Sequence, residues 1–118
     1  MKVNGVATVI LFVHDMDRQI EWYRDVLGLG VKSRHGDFAV FDLGGNVQLA
    51  IHGGVESDVA GAGQRTTVVL EVDDYDEAKS TLAERGVSMV FENESPRARF
   101  GTIRDPEGIE IQILQPKV

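Results

Sequence analysis

Val13-His14-Asp15-Met16-Asp17 closes a run of β-branched residues and opens a helical stretch that stops at Gly28. The same order returns later, where Val72-Asp73-Asp74-Tyr75-Asp76 opens a second helical stretch that stops at Gly86. Strand, capped helix and glycine stop are thus written twice. The segments that follow keep the parallel, since Gly44-Gly45-Asn46-Val47-Gln48-Leu49 is echoed by Gly108-Ile109-Glu110-Ile111-Gln112-Ile113. A duplicated half-domain places equivalent residues around a pseudo-twofold axis. The positions of interest therefore come in pairs, Thr8 with Thr67 and Gln48 with Gln112.

Working outward, residues 6–13 read as a strand. Asp15 offers a helix N-cap, and Met16, Ile20, Tyr23 and Leu27 follow at helical spacing as one apolar stripe. Gly28 stands where a helix end accepts a left-handed residue. Three strands are expected next, over 31–34, 38–43 and 47–52, with Gly36-Asp37 and Gly44-Gly45-Asn46 as turns. The second half predicts a strand over 66–72, a helix capped by Asp74 with Tyr75, Ala78 and Leu82 as its stripe, and strands over 87–91, 98–104 and 109–114. Glu77 completes a variant capping box with Asp74. The expectation is an α+β fold of two βαβββ modules, 5–52 and 64–114, in a single domain over 1–118. The Gly-rich segment 53–63 reads as the linker. A phosphate-cradling loop there is disfavoured, because no Lys-Ser/Thr follows and no strand-to-helix context surrounds it.

Composition sets further bounds. The chain has 118 residues, enough for one domain with a real core. Its net charge is -7, from 19 acidic against 12 basic side chains, which argues against nucleic acid as a partner. There is no cysteine, so disulfide and thiol chemistry are excluded. The apolar run 9–13 is far too short to span a bilayer, so no membrane partner is expected. It also lacks a following cleavage site, and a cytoplasmic location is the expectation.

Strand alternation separates two faces. Val9, Leu11 and Val13, with Val47, Leu49 and Ile51, form an aliphatic face in the first half. Val68, Leu70 and Val72, with Ile109, Ile111 and Ile113, do so in the second. The opposite face carries Thr8, Ile10, Phe12, Gln48, Ala50 and His52, then Thr67, Val69, Glu71, Glu110, Gln112 and Leu114. Mixed apolar and polar groups of this kind furnish a concave ligand surface.

At this point the chain resembles the vicinal oxygen chelate superfamily, which includes glyoxalase I, bleomycin-resistance proteins and extradiol dioxygenases. The resemblance rests on Val13-His14-Asp15-Met16-Asp17-Arg18, on Trp22-Tyr23-Arg24-Asp25-Val26-Leu27-Gly28-Leu29, and on Asp105-Pro106-Glu107-Gly108 followed by Ile109-Glu110-Ile111-Gln112. It implies paired βαβββ modules, each curling a sheet into a half-barrel, and a homodimer. Metal-using members place His, Glu or Gln, His and Glu on the first and last strands of the modules. Carried over by residue, those positions fall on Thr8, Gln48, Thr67 and Gln112. Both histidines and both carboxylates are replaced. Transition metals favour imidazole, thiolate or carboxylate, and hard cations favour carboxylate oxygen. Two hydroxyls and two neutral amides supply none of these, so neither a metal nor another cofactor is expected. They offer neutral hydrogen bonding instead. Two outcomes stay open for them, namely contact with a ligand or hydrogen bonds among themselves that close the barrel.

His52 shares a face with Gln48 and borders the expected pocket. Glu71 faces the same concave side, where burial would raise its pKa and make a Glu71–His52 acid–base pair. A rim carboxylate exposed to water is the plainer reading. His14 and His35 read as surface residues. Arg97, Arg99 and Arg104 would suit an anionic ligand, although surface arginines are commoner. Trp22 reads as packing beside the helix stripe. The leading expectation is a metal-free small-molecule-binding protein that sequesters a drug or natural product. The expected contacts are Thr8, Ile10, Phe12, Gln48, His52, Thr67, Val69, Glu71, Gln112 and Leu114. The alternative is a glyoxalase- or dioxygenase-like enzyme, with a displaced metal site or with Glu71 as general base. Enzymatic activity is left open by the sequence.

Overall fold

The computed structural model describes residues 2, 8–45, 47–53, 67–96 and 98–117. The chain divides into two compact units, Met1–Ala60 and Gly61–Val118. The first holds β1 (Thr8–Phe12), α1 (Met16–Asp25), β2 (Gly30–His35), β3 (Phe38–Asp42) and β4 (Gln48–His52). The second holds β5 (Val68–Glu71), α2 (Tyr75–Glu84), β6 (Phe91–Glu94), β7 (Ala98–Arg104) and β8 (Glu110–Pro116). The expected βαβββ order is therefore present in both. The outer residues of the expected strands 6–13 and 66–72, Asn46 of the second turn, Arg97 and most of the linker 53–63 lie outside the described residues.

Each unit is a four-stranded sheet, ordered β1-β4-β3-β2 and β5-β8-β7-β6. The first strand of each runs parallel to the last, and the rest of each sheet is antiparallel. Both helices begin as their sequences dictate. The Asp15 carboxylate accepts the Arg18 N–H at 3.1 Å, and the Asp74 carboxylate accepts the Glu77 N–H at 3.1 Å. Each bond satisfies one of the amides a helix start leaves orphaned. Replacing either aspartate by alanine is expected to cost about 1 kcal/mol, measured by urea unfolding. An unchanged midpoint in both variants would refute the capping role.

The helix stripes bury for the most part, with Leu27 and Ala78 left half-buried. Met16, Ile20 and Tyr23 are buried from α1, and Tyr75 and Leu82 from α2. Tyr23 packs its ring at 5.7 Å from Phe41, and Trp22 meets Tyr23 edge-on at 5.0 Å, so Trp22 packs on the stripe as expected. Leu49 and Ile51 in the first sheet, and Ile103, Ile111 and Ile113 in the second, complete the aliphatic faces. Val47, expected on that face, is instead 42% exposed. It precedes β4 and lies outside its ladder.

The strand expected over 87–91 is displaced. The ladder begins at Phe91 and runs to Glu94. The reason lies in the end of α2, where Gly86 is left-handed (φ 84°) and the Val87 N–H bonds back to the Leu82 carbonyl at 2.9 Å. The helix cap thus consumes the Val87 donor. At the start of α2, Arg99 of β7 lies 4.7 Å over the Tyr75 ring and pairs with Asp76 at 2.9 Å. The bond from Arg99 holds the exposed Asp76 carboxyl below its usual range.

Candidate functional site

The first sheet turns its aliphatic side to α1 and its other side outward. Three rows cross this open face. At one end Thr8 stands opposite Gln48. In the middle Ile10, Ala50, Val40 and Ser33 align, and at the far end Phe12, His52, Phe38 and His35 align. Thr8 and Gln48, both expected on the concave face, are thus register partners in the parallel β1–β4 ladder. Among the described residues no side-chain hydrogen bond joins the two, so neither polar group is consumed by the other.

A hollow of about 340 Å³ opens at the Thr8–Gln48 end, lined also by Lys32, Asp42, Leu43 and Val47. Lys32 and Asp42 were not among the residues singled out by sequence. β2 carries a register shift between Val31 and Ser33, which makes Lys32 the extra residue of a bulge. A bulge re-aims a side chain relative to simple alternation, and here it brings Lys32 to the hollow. Asp42 accepts the Gly44 N–H at 3.0 Å, in the turn where Gly44 and Gly45 are both left-handed (φ 69° and 84°). One carboxylate oxygen of Asp42 is thus tied to the turn. The hollow presents an ammonium, a carboxylate, a hydroxyl and an amide beside two aliphatic side chains.

The second sheet corrects one equivalence. The Val13 N–H donates to the His52 carbonyl at 3.0 Å, and the Val72 N–H donates to the Leu114 carbonyl at 2.9 Å. His52 and Leu114 are therefore counterparts. Four residues back from each stand Gln48 and Glu110, so Glu110, not Gln112, is the structural counterpart of Gln48. Gln112 stands opposite Val69 and Thr102, and Thr67 lies just before β5 and is exposed. Glu110 accepts from Arg104 at 3.2 Å, which places a neutralising guanidinium on that carboxylate. The open face here runs Val69, Gln112, Thr102 and Phe91 in one row and Glu71, Leu114, Phe100 and Asn93 in the next. Val69 and Phe91 are 48% and 55% exposed, and Phe91 meets Phe100 at 6.3 Å.

Other candidates fall out differently. Glu71 is exposed and lines a hollow of about 310 Å³ with Val72, Asp73, Asp74, Glu77 and Ala78. Arg99 and Arg104 are both engaged by carboxylates, Asp76 and Glu110. His14 and His35 are exposed. Among the described residues no three His, Cys, Asp or Glu side chains cluster as a metal site would require. In the first unit Thr8 and Gln48 supply neither imidazole nor carboxylate, a pair that does not fit a catalytic metal. No helix among the described residues is long and apolar enough to cross a membrane.

With two βαβββ units and these open faces in view, the class is defined. The chain belongs to the Glyoxalase/Bleomycin resistance protein/Dioxygenase superfamily, whose family model matches residues 5–113. Its structure is similar to that of TnmS3, an antibiotic binding protein from Streptomyces sp. CB03234, at TM-score 0.83 and 21% identity over 99% of both chains. It is also similar to a lactoylglutathione lyase from Agrobacterium tumefaciens, at TM-score 0.77 and 20% identity, covering 97% of this chain and 95% of that one. A glyoxalase/bleomycin resistance protein from Catenulispora acidiphila DSM 44928 is 28% identical at TM-score 0.75, covering 93% and 96%. Among curated proteins, none matches the sequence.

Proposed function

We propose that this protein binds a small organic molecule without a metal, through the open faces of its sheets, and sequesters it. The observation that carries the reading is the hollow in which Thr8 and Gln48 are joined by Lys32 and Asp42. Thr8 and Gln48 supply neutral donors and acceptors where metal-using relatives hold imidazole and carboxylate. Lys32 and Asp42 add one charge of each sign, which suits a polar or zwitterionic group. Leu43 and Val47 supply apolar contact beside it. On the second sheet Val69, Gln112 and Leu114 offer the same mixture, with Thr67 and Glu71 at its margin. Similarity to an antibiotic binding protein supports sequestration as the purpose. The same reading takes the protein to be a cytoplasmic homodimer, with glyoxalase- or dioxygenase-like catalysis as the alternative.

The test joins metal analysis and native mass spectrometry of purified protein to a thermal-shift screen of natural products. A molecule present at about a hundred times its Kd stabilises the fold by about 2.7 kcal/mol. The expected outcome is metal-free protein and a hit whose affinity falls about tenfold or more in Gln48→Leu and Lys32→Ala. Stoichiometric tightly bound metal, or a hit indifferent to both substitutions, would reject the proposal.

A further inference from the structure

At the far end of the first sheet's open face, all four strands contribute a ring to one row. Phe12 stands opposite His52, His52 opposite Phe38, and Phe38 opposite His35. Phe12 lies 5.7 Å from the His52 ring at 40°, and Phe38 meets the same imidazole nearly edge-on, at 6.0 Å and 78°. Phe12 is 46% exposed, and His52 and His35 are exposed as well. Four residues of strand, about 13 Å, separate this row from the Thr8–Gln48 end.

His52 is held in one orientation by its surroundings. Its Nδ1 lies 2.8 Å from the Gly53 carbonyl oxygen. A carbonyl only accepts, so the proton resides on Nδ1, and the neutral ring carries its lone pair on Nε2. That carbonyl is fixed in turn. The Gly53 N–H bonds to the Asp37 carbonyl at 2.7 Å, and a side chain at Gly53 would sit 3.0 Å from Met16. The backbone of His52 is tied by the Val13 N–H at 3.0 Å. The imidazole is thus a pre-oriented acceptor set between two phenyl rings.

We propose that this row binds a planar aromatic ring bearing a hydrogen-bond donor, either a phenolic O–H or an aromatic N–H. The guest stacks on Phe12, Phe38 walls it at the end, and the guest's O–H or N–H donates a hydrogen bond to the in-plane lone pair of His52 Nε2. Tilted rings at these distances favour offset or edge contact with a flat guest, and the lone pair discriminates guests that donate from those that do not. The inference rests on the small-molecule reading above and names a different subsite and ligand chemistry.

The experiment is an NMR titration in mildly alkaline buffer with 2-naphthol and with 2-methoxynaphthalene, which has the same rings and no donor. Saturable shifts are expected at the ring signals of Phe12, Phe38 and His52, with 2-naphthol binding about tenfold tighter. His52→Phe keeps a ring and removes the acceptor, so 2-naphthol should fall to the affinity of the ether while the ether is unchanged. Phe12→Ala should weaken both probes. Gln48→Leu and Lys32→Ala should change neither, which separates failure of the row from failure of the hollow at the other end. Equal affinity of the two probes overturns the proposal, as does the absence of saturable shifts at these rings. Ring shifts that grow with protein concentration before any probe is added also overturn it, by showing that a second copy covers the row.

Discussion

Asp105→Ala is expected to destabilise the protein by about 3 kcal/mol and to lower its melting temperature by roughly 10 °C. Asp105 is only 5% exposed. Its Oδ1 accepts two backbone N–H groups, from Glu107 and from Ile109, each at 2.9 Å. Its main chain closes the same turn, with the Asp105 N–H donating to the Ile109 carbonyl at 3.0 Å and the Gly108 N–H donating to the Asp105 carbonyl at 2.9 Å. Alanine would leave the buried Ile109 N–H without that acceptor, and an orphaned buried donor costs about 1–3 kcal/mol. The turn also sets where β8 begins against β7, with Arg104 opposite Glu110. Asp105→Asn keeps an acceptor oxygen and should lose less than half as much. Denaturant unfolding measures both, and an alanine variant within about half a kcal/mol of the parent would falsify the account.

Gly101→Ala is the second large effect, expected at about 1–3 kcal/mol, with Gly101→Val costing more. A Cβ built at Gly101 overlaps the Tyr75 hydroxyl and sits 2.6 Å from the Met89 sulfur. Met89 is flexible and can give way. Tyr75 cannot do so cheaply, because it is 1% exposed, lies under Arg99 and has its backbone N–H held by Gln115 at 2.7 Å. Its hydroxyl is buried with no hydrogen-bond partner among the described residues. Tyr75→Phe alone should therefore be near neutral, and in the Gly101→Ala background it should recover much of the loss. A double-mutant cycle measures the coupling, and additive effects would reject the proposed clash. The same hydroxyl predicts a pH signature. Burial first, and then Glu92, raises the Tyr75 pKa above its usual value of 10.0. The neutral form is favoured by folding, so this contribution is complete below about pH 10 and is lost as the pH rises through the folded pKa. Tyr75→Phe should remove that alkaline loss.

The fold was legible because its signals are local. Asp15 and Asp74 announce the helix starts, and Met16, Ile20 and Tyr23 recur at the helical period. The strand Phe91–Glu94 was displaced in the sequence reading because Phe-Glu-Asn-Glu is exposed throughout and has no apolar face. It is held by pairing with β7 and by ion pairs, Lys79 with Glu92 at 2.6 Å and Lys117 with Glu94 at 3.1 Å. The site was legible in part. Thr8 and Gln48 follow from strand alternation, and the ladder sets their backbones opposite one another. Lys32 was hidden by a bulge, which no alternation reveals. The counterpart of Gln48 was misplaced because the echo of Gly44 in Gly108 suggested equal turn lengths. The equivalence is instead read from the ladders, where Val13 bonds His52 and Val72 bonds Leu114.

The parallel pairing of first strand with last also orders the assembly of each unit. The β2–β3 and β3–β4 ladders join neighbours in sequence and close short loops. Thr8 meets Gln48 only after the chain has passed through a helix and three strands. Contacts of long sequence separation carry a larger entropic toll and reward the chain late. The hollow at Thr8 and Gln48 is consequently among the last features of its unit to exist, and a ligand seated there rewards only the chain that has completed its sheet.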